Sequence, residues 1–307
     1  MAIASIDTQK EAFKEYTDRY IFEATEDKKN GYLDKRNHSL FVLDETLLTD
    51  ALFTKYNPQF LNLLALESLF HDIGRFEQLK QMGTFKDDEV SKYFPGSIDH
   101  GDLGAKIVKD EGILKDLIPD VRLYDEEVQK VIELHSKVNP ELLNKIMLDY
   151  IVAFRSYDLT DLFLSKKAKE EKEVLTATNT AIIQDVDRLD IFRKIVNGIW
   201  VPMTTDQEID PELFKLYKEG KLPTMREIQE MGKWNPNVGH LVRMSFINQM
   251  NLVPVLQKIK EENLIEKVYK ANGNPIVRPA YDVARDQLEQ ILHESEGEVI
   301  VKKRWIK

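Results

Sequence analysis

Ionisable side chains on stripes that must be buried are the strongest constraint this sequence carries. An α-helix turns one stripe, positions i, i+3, i+4 and i+7, towards its neighbours, and an imidazole or carboxylate on it meets poor solvation. His38 lines up with Phe41 and Val42, His100 with Leu103, Gly104 and Ile107, and His135 with Val128, Val131 and Ile132. His71 and Asp72 are consecutive inside Phe60 to Phe76, a segment apolar on almost every side whose other ionisable members are Glu67 and Arg75. Ile183, Val186 and Ile191 place Asp187 on the buried side of a strongly apolar helix. Unpaired there, its carboxylate would be strongly destabilising or would take up a proton.

A shared divalent cation answers for all these residues at once. Neutral imidazoles and carboxylates are its usual ligands, and the ion offsets their desolvation. Taken singly, each histidine has an ordinary reading as a hydrogen-bonded core residue, and Asp187 as a partner of Arg188. The shared reading gains because four of only six histidines fall on such stripes. His240, near Arg243 and Met244, reads as a packing or pocket residue, and His293, beside Glu294 and Glu296, as surface.

Composition narrows the chemistry. The absence of cysteine removes disulfides, thiolate sites and cysteine nucleophiles together, so any metal is held by nitrogen and oxygen. A net charge of -10 repels polyanions, which argues against long nucleic acid as a partner, although a pocket lined by Arg, Lys and metal ions still accepts a small anion. The N-terminal MAIASIDTQKEAFKEY has no apolar h-region, and no stretch runs to eighteen apolar residues. The expectation is a cytoplasmic protein without a membrane partner; a homo-oligomer is compatible with it.

Few glycines and prolines and many charges favour helices. Amphipathic patterns cover 8 to 30 and the KRNHSLFVLDETLLTDALF stretch after it, and Pro58 opens the buried segment that continues to Phe76. Residues 81 to 99 read as a loop, Asp99 or His100 as a helix start, and Asp125, Glu126 and Glu127 as the acidic N-terminus of a helix reaching His135. Helical patterns recur at 142 to 164 and 179 to 199. Beyond Trp200, Pro202, Pro211, Pro223 and Pro236 punctuate short segments, helices resume at 238 to 270 and 280 to 293, and VIVKKRWIK reads as a short strand or docked tail. The expected fold is all-α, with a metal-binding helical domain over 1-200 and a helical extension over 201-307 packed on it and shaping the pocket.

The order His38, His71-Asp72, Asp187 resembles the H…HD…D signature of the HD superfamily of phosphohydrolases. HDIGR at 71 to 75 is similar to that superfamily's HDIGK/R turn, and DVDRLDIFR at 185 to 193 to its DADKLDxxR segment. KRNHSLFVL, DHGDLGA and IELHSK extend the likeness over roughly 30 to 200. The resemblance implies an all-helical bundle in which His38, His71, Asp72 and Asp187 hold one ion. With His100 and His135 in the order seen in two-metal members, it implies a second ion and Asp72 as the bridge. The GYP-type motif of cyclic dinucleotide phosphodiesterases is absent, so that specificity is not implied.

The resemblance thus implies a hydrolase that cleaves a small phosphorylated substrate, a nucleotide or phosphodiester, with a hydroxide activated by two divalent ions drawn from Mn, Fe, Zn, Co or Ni. Asp72, Arg75 and Arg188 are the expected catalytic residues. Arg75, Lys137 and Arg188 would neutralise the phosphoryl oxygens, with surface ion pairing the plainer reading for Lys137. Glu67, one turn before His71, either accepts a ligand histidine's second N–H or caps a basic residue. Two rivals stand beside hydrolysis: an HD-type diiron oxygenase using a similar six-residue set, and a non-catalytic nucleotide-binding module that keeps the metal as a staple.

Overall fold

The computed structural model describes residues 3–53, 58–85, 99–118, 121–137, 169–298 and 301, with side chains described outside 50–53, 58, 121–126 and 169–171. Among them every extended element of regular structure is a helix, in agreement with the all-α expectation. The chain divides into two compact units, Met1–Val186 and Asp187–Lys307. The helical pattern at 142 to 164 lies outside the described residues, as does Pro140.

The first unit opens with α1 (Ile6–Glu23), whose start is fixed by Ser5, its hydroxyl accepting from the Thr8 amide. The amphipathic stretch 8 to 30 is not one helix. Ala24 is extended, and the Thr25 carbonyl accepts from the amides of Lys28 and Lys29, so α2 (Glu26–Phe53) starts afresh with Glu26 and Asp27 in its first turn. Arg36 on α2 then donates to Thr17 Oγ1 at 2.7 Å and to Asp18 at 2.5 Å, tying α2 back to α1.

The buried segment expected to run from Phe60 to Phe76 is likewise two helices, α3 (Pro58–Phe70) and α4 (Ile73–Met82), with a turn at His71 and Asp72. Hydrophobic periodicity sees no break because both helices are buried, but the backbone at Asp72 (φ -102, ψ 17) leaves the helical region. The two helices share an aromatic core with α1 and α2. Phe13 meets Phe70 edge-on at 5.4 Å between ring centres, and Tyr32 stacks on Phe76 at 6.0 Å. Each such ring adds roughly 1.5–3 kcal/mol when fully buried.

Helix α5 (His100–Glu111) is capped by Asp99, and α6 (Val121–Leu134) begins one turn before the acidic cluster expected to start it. Glycines decide how closely α4, α5 and α6 approach. A Cβ on Gly74 would lie 2.1 Å from the His100 carbonyl oxygen, and one on Gly101 would lie 2.8 Å from that of Ile132. Helix α7 (Lys169–Val196) contains the division between the units.

The second unit takes the rest of α7 and then α8 (Pro211–Lys218), α9 (Met225–Glu230), α10 (Val238–Met244), α11 (Phe246–Gln249), α12 (Val253–Glu261), α13 (Leu264–Asn272) and α14 (Arg278–Glu294). The pattern read as continuous helix over 238 to 270 is broken at Ser245, at Met250 to Leu252, and at Asn263, which adopts positive φ (51°) as the cap of α13. Helix α14 is the hub, packing against α10, α11, α12 and α13 and burying Tyr281, Ala284, Leu288 and Ile291. The Val301 amide donates to the Asn251 carbonyl at 2.8 Å, a backbone contact for the C-terminal tail.

Candidate metal centre

Five of the six residues singled out as ligands converge inside the first unit. His38 comes from α2, His71 and Asp72 from the turn between α3 and α4, His100 from the first position of α5 and His135 from just past α6, and all are buried. Their ligand atoms form two sets of three, His38-His71-Asp72 and Asp72-His100-His135, each lying within 4.8 Å of one another. Asp72 belongs to both.

The distances have a definite meaning. Asp72 Oδ1 lies 3.5 Å from Nε2 of His100 and 3.5 Å from Nε2 of His135, and those two nitrogens are 3.1 Å apart. Bonds of about 2.0–2.2 Å from N or O to a transition metal imply neighbouring ligand atoms about 3.0–3.5 Å apart, so this triangle has the dimensions that three ligands of one ion would need. The other carboxylate oxygen, Oδ2, faces the first set, 3.4 Å from His38 Nε2 and 3.8 Å from His71 Nε2.

Tautomers agree with that reading. His71 Nδ1 is 2.7 Å from the Ser68 carbonyl and His135 Nδ1 is 2.6 Å from the Ile132 carbonyl. A carbonyl only accepts, so both Nδ1 atoms carry a proton and Nε2 is the nitrogen that each ring turns towards the cluster, the one available for ligation. The donor set therefore fits a divalent cation. Glu67, expected as a candidate acceptor for His71, is displaced from that role by Ser68. It accepts from Asn179 Nδ2 on α7 at 2.7 Å instead, and burial, with Glu127 nearby, raises its carboxyl well above the ordinary range.

Lys35, three residues before His38 on α2, reaches Asp72 Oδ2 at 2.7 Å. Burial alone would raise the Asp72 carboxyl, but Lys35, His71, His135 and His38 outweigh it and hold the group well below its usual value. Asp72 is an anion at the focus of cationic and polar groups.

Supporting contacts fix the ligands in place. Asp99 Oδ1 accepts from Gly101 N at 2.8 Å and Ser136 Oγ at 2.6 Å, while Oδ2 lies 3.7 Å from His100 Nδ1, so one carboxylate orients both His100 and the chain after His135. Gln184 on α7 donates from Nε2 to the carbonyls of Leu134, His135 and Lys137 at 2.8–3.1 Å, closing the C-terminal end of α6. Lys35, Asp99 and Gln184 escape a reading based on apolar stripes. Lys35 had one available signal, its i, i+3 spacing to His38.

Of the other expected residues, Arg75 borders the cluster. Its Nε is 3.8 Å from Asp72 Oδ1, and its Nη1 donates to Gln78 and to the Phe85 carbonyl. Lys137 is held by Asp102 at 2.5 Å and Glu133 at 3.3 Å. Asp187 is the first residue of the second unit and is half-buried, whereas Asp185 is fully buried. Of the residues that share its stripe, Ile183 and Val186 are fully buried and Ile191 is half-buried, while Asp185, Leu189 and Phe192 are buried on the neighbouring face of α7. Arg188, also in the second unit, donates to the Gln249 carbonyl at 3.2 Å. His240 is buried and His293 exposed, in line with their sequence patterns.

An all-helical bundle that gathers histidines from separate helices around one shared aspartate defines a class of metal-site proteins. The chain matches the HD domain family over residues 37–191, just over half of its length, and belongs to that family, one of metal-dependent phosphohydrolases. No curated protein and no solved structure matches it.

Proposed function

We propose that the protein is a metal-dependent phosphohydrolase whose centre holds two divalent transition-metal ions bridged by Asp72. The observation that carries the reading is the pair of three-residue sets that meet at that carboxylate. His38 and His71 would hold one ion with Asp72, His100 and His135 the other, and the family signature adds Asp187 to the first. Bound there, the ions would lower the pKa of a coordinated water towards about 7 and polarise a phosphoryl oxygen.

The chain's own groups do the rest. Asp72, already an anion, keeps its two oxygens directed to opposite sides of the cluster. The Ser68 and Ile132 carbonyls hold the His71 and His135 rings in the ligating tautomer. Arg75 and Lys35, both beside Asp72, supply positive charge for the non-bridging oxygens of a small phosphate ester, with Arg188 as the expected third cation. Lys137 ranks behind them because Asp102 and Glu133 already neutralise it.

The test is a screen of protein loaded in turn with manganese, iron, zinc, cobalt and nickel against phosphate monoesters, phosphodiesters and nucleotides, with phosphate release and oxygen consumption both monitored. Phosphate release with at least one ion, abolished in Asp72→Ala, is the expected result. Oxygen consumption by the iron-loaded form without phosphate release would replace hydrolysis with the diiron oxygenase reading. Ligand affinity without turnover of either kind would leave the binding module.

A further inference from the structure

Cations in the second unit are generally matched to acids. Arg193 pairs with Glu262, Arg278 with Glu266 and Asp282, Arg285 with Asp282 and Arg226 with Glu230. Arg243 on α10 departs from this pattern. The side chain is half-buried, its Nε is shut off from solvent without a hydrogen bond, and it makes no ion pair with any described residue, although the chain carries ten more acidic than basic residues.

Among the described residues, the groups that face Arg243 bring no negative charge. His240 donates from Nε2 to the Met203 carbonyl at 3.2 Å, and burial and the neighbouring guanidinium push its pKa down to about 4, so the ring is neutral and its Nδ1, 2.7 Å from the Tyr281 hydroxyl, accepts. Burial raises the Tyr281 hydroxyl, so it too stays neutral. Burial pushes Arg243 itself down to about 10, still charged at physiological pH.

What the described residues place beside the guanidinium is aromatic, two indoles that are partly exposed. Its carbon lies 5.2 Å from the ring centre of Trp200, which is 43% exposed. The outer edge of the Trp234 indole, 37% exposed, and both Nη atoms converge over Gly239, each 3.4–3.5 Å from where a Cβ would stand. A planar fork matches a carboxylate or phosphate, and an indole face accepts a flat ring.

We infer that Arg243, Trp200 and Trp234 form a binding site for a small organic anion, a phosphate or carboxylate carried on a planar ring. The charged end pairs with the guanidinium and the ring lies on an indole. All three residues belong to the second unit.

The test uses the full-length chain carrying Asp72→Ala and stripped with chelator, so that neither turnover nor metal contributes. Calorimetric titration with AMP and with benzoate, against adenosine and inorganic phosphate as half-ligands, separates the two anion types and the two ends of the ligand. At least one of AMP and benzoate binds at one per chain, at least tenfold tighter than either half-ligand. Arg243→Met weakens it at least tenfold, and Trp200→Leu weakens it and abolishes most of the accompanying tryptophan quenching. Arg243→Met melts at or above the parent temperature, since it removes an uncompensated charge. Should that variant fail to fold, Arg243→Lys, which keeps the charge and loses the fork, serves in its place with a several-fold loss. Absence of binding by both probes, or binding unchanged in the Arg243 variants, overturns the site.

Discussion

At the scale of single residues, the centre is a problem of desolvated charge with two different solutions. Asp72 stays ionised because cationic and polar groups from three sides outweigh burial. Glu67, equally buried, has only the Asn179 amide against burial and the repulsion of Glu127, so its pKa is raised. A carboxyl whose pKa is higher in the folded than in the unfolded state contributes its full stability below the unfolded value, about 4.3, and loses it as pH rises towards the folded value, by about 1.4 kcal/mol per unit. Glu67→Gln removes that titration and keeps an acceptor for Asn179. Its melting temperature relative to the parent should therefore climb as pH is raised from 4 to neutrality on the order of several degrees; parallel curves for the two proteins would contradict this. The four stripe histidines were legible from spacing alone. Lys35 was not, because a lysine one turn from a histidine normally marks a solvated face, and only the tertiary approach of α2 to the α3–α4 turn makes it a partner of Asp72.

Among elements, the site depends on how closely α4, α5 and α6 pack. Glycines at 74 and 101 let backbones meet where a methyl group would collide, Gly104 sits where one would be tight, and this brings His100 against Asp72. Gly74→Ala should cost roughly 1–3 kcal/mol or more in denaturant unfolding, together with weaker metal binding, because the collision is with a carbonyl that cannot rotate away. A neutral effect on both would show that the helices are not held at this distance. Gln184→Ala removes the side-chain donor shared by three carbonyls at the end of α6, of which that of Leu134 keeps the Lys137 amide, at a cost of about 1–3 kcal/mol, and should lower metal affinity by about 10–100-fold, read by competition with a chelating dye. The helical periods in the sequence indicated these elements but merged α3 with α4, since apolar residues continue on both sides of the break and its two polar residues, His71 and Asp72, have a reading as ligands that needs no turn. They marked Asp187 but passed over Asp185, which is fully buried one turn before Leu189.

For the molecule as a whole, charge and architecture point the same way. With 53 acidic against 43 basic residues, a long DNA duplex should show no retardation with this protein at physiological salt, and a stable complex there would contradict the expected repulsion of polyanions. Among the described residues no helix is long and apolar enough to cross a membrane. The all-α class was legible because both units are built from amphipathic helices, whereas the convergence of residues from 38 to 135 on one carboxylate is a property of tertiary packing that the H…HD…D order only signposts. A shared centre bridged by Asp72 is tested most directly by a metal count on the full chain, purified without chelator and reloaded with manganese or zinc, by elemental analysis alongside calorimetric titration. Two ions per chain in the parent and essentially none in Asp72→Ala is the predicted result; a parent that retains no ion after exposure to any of these metals, or an Asp72→Ala variant that binds as the parent does, would contradict it.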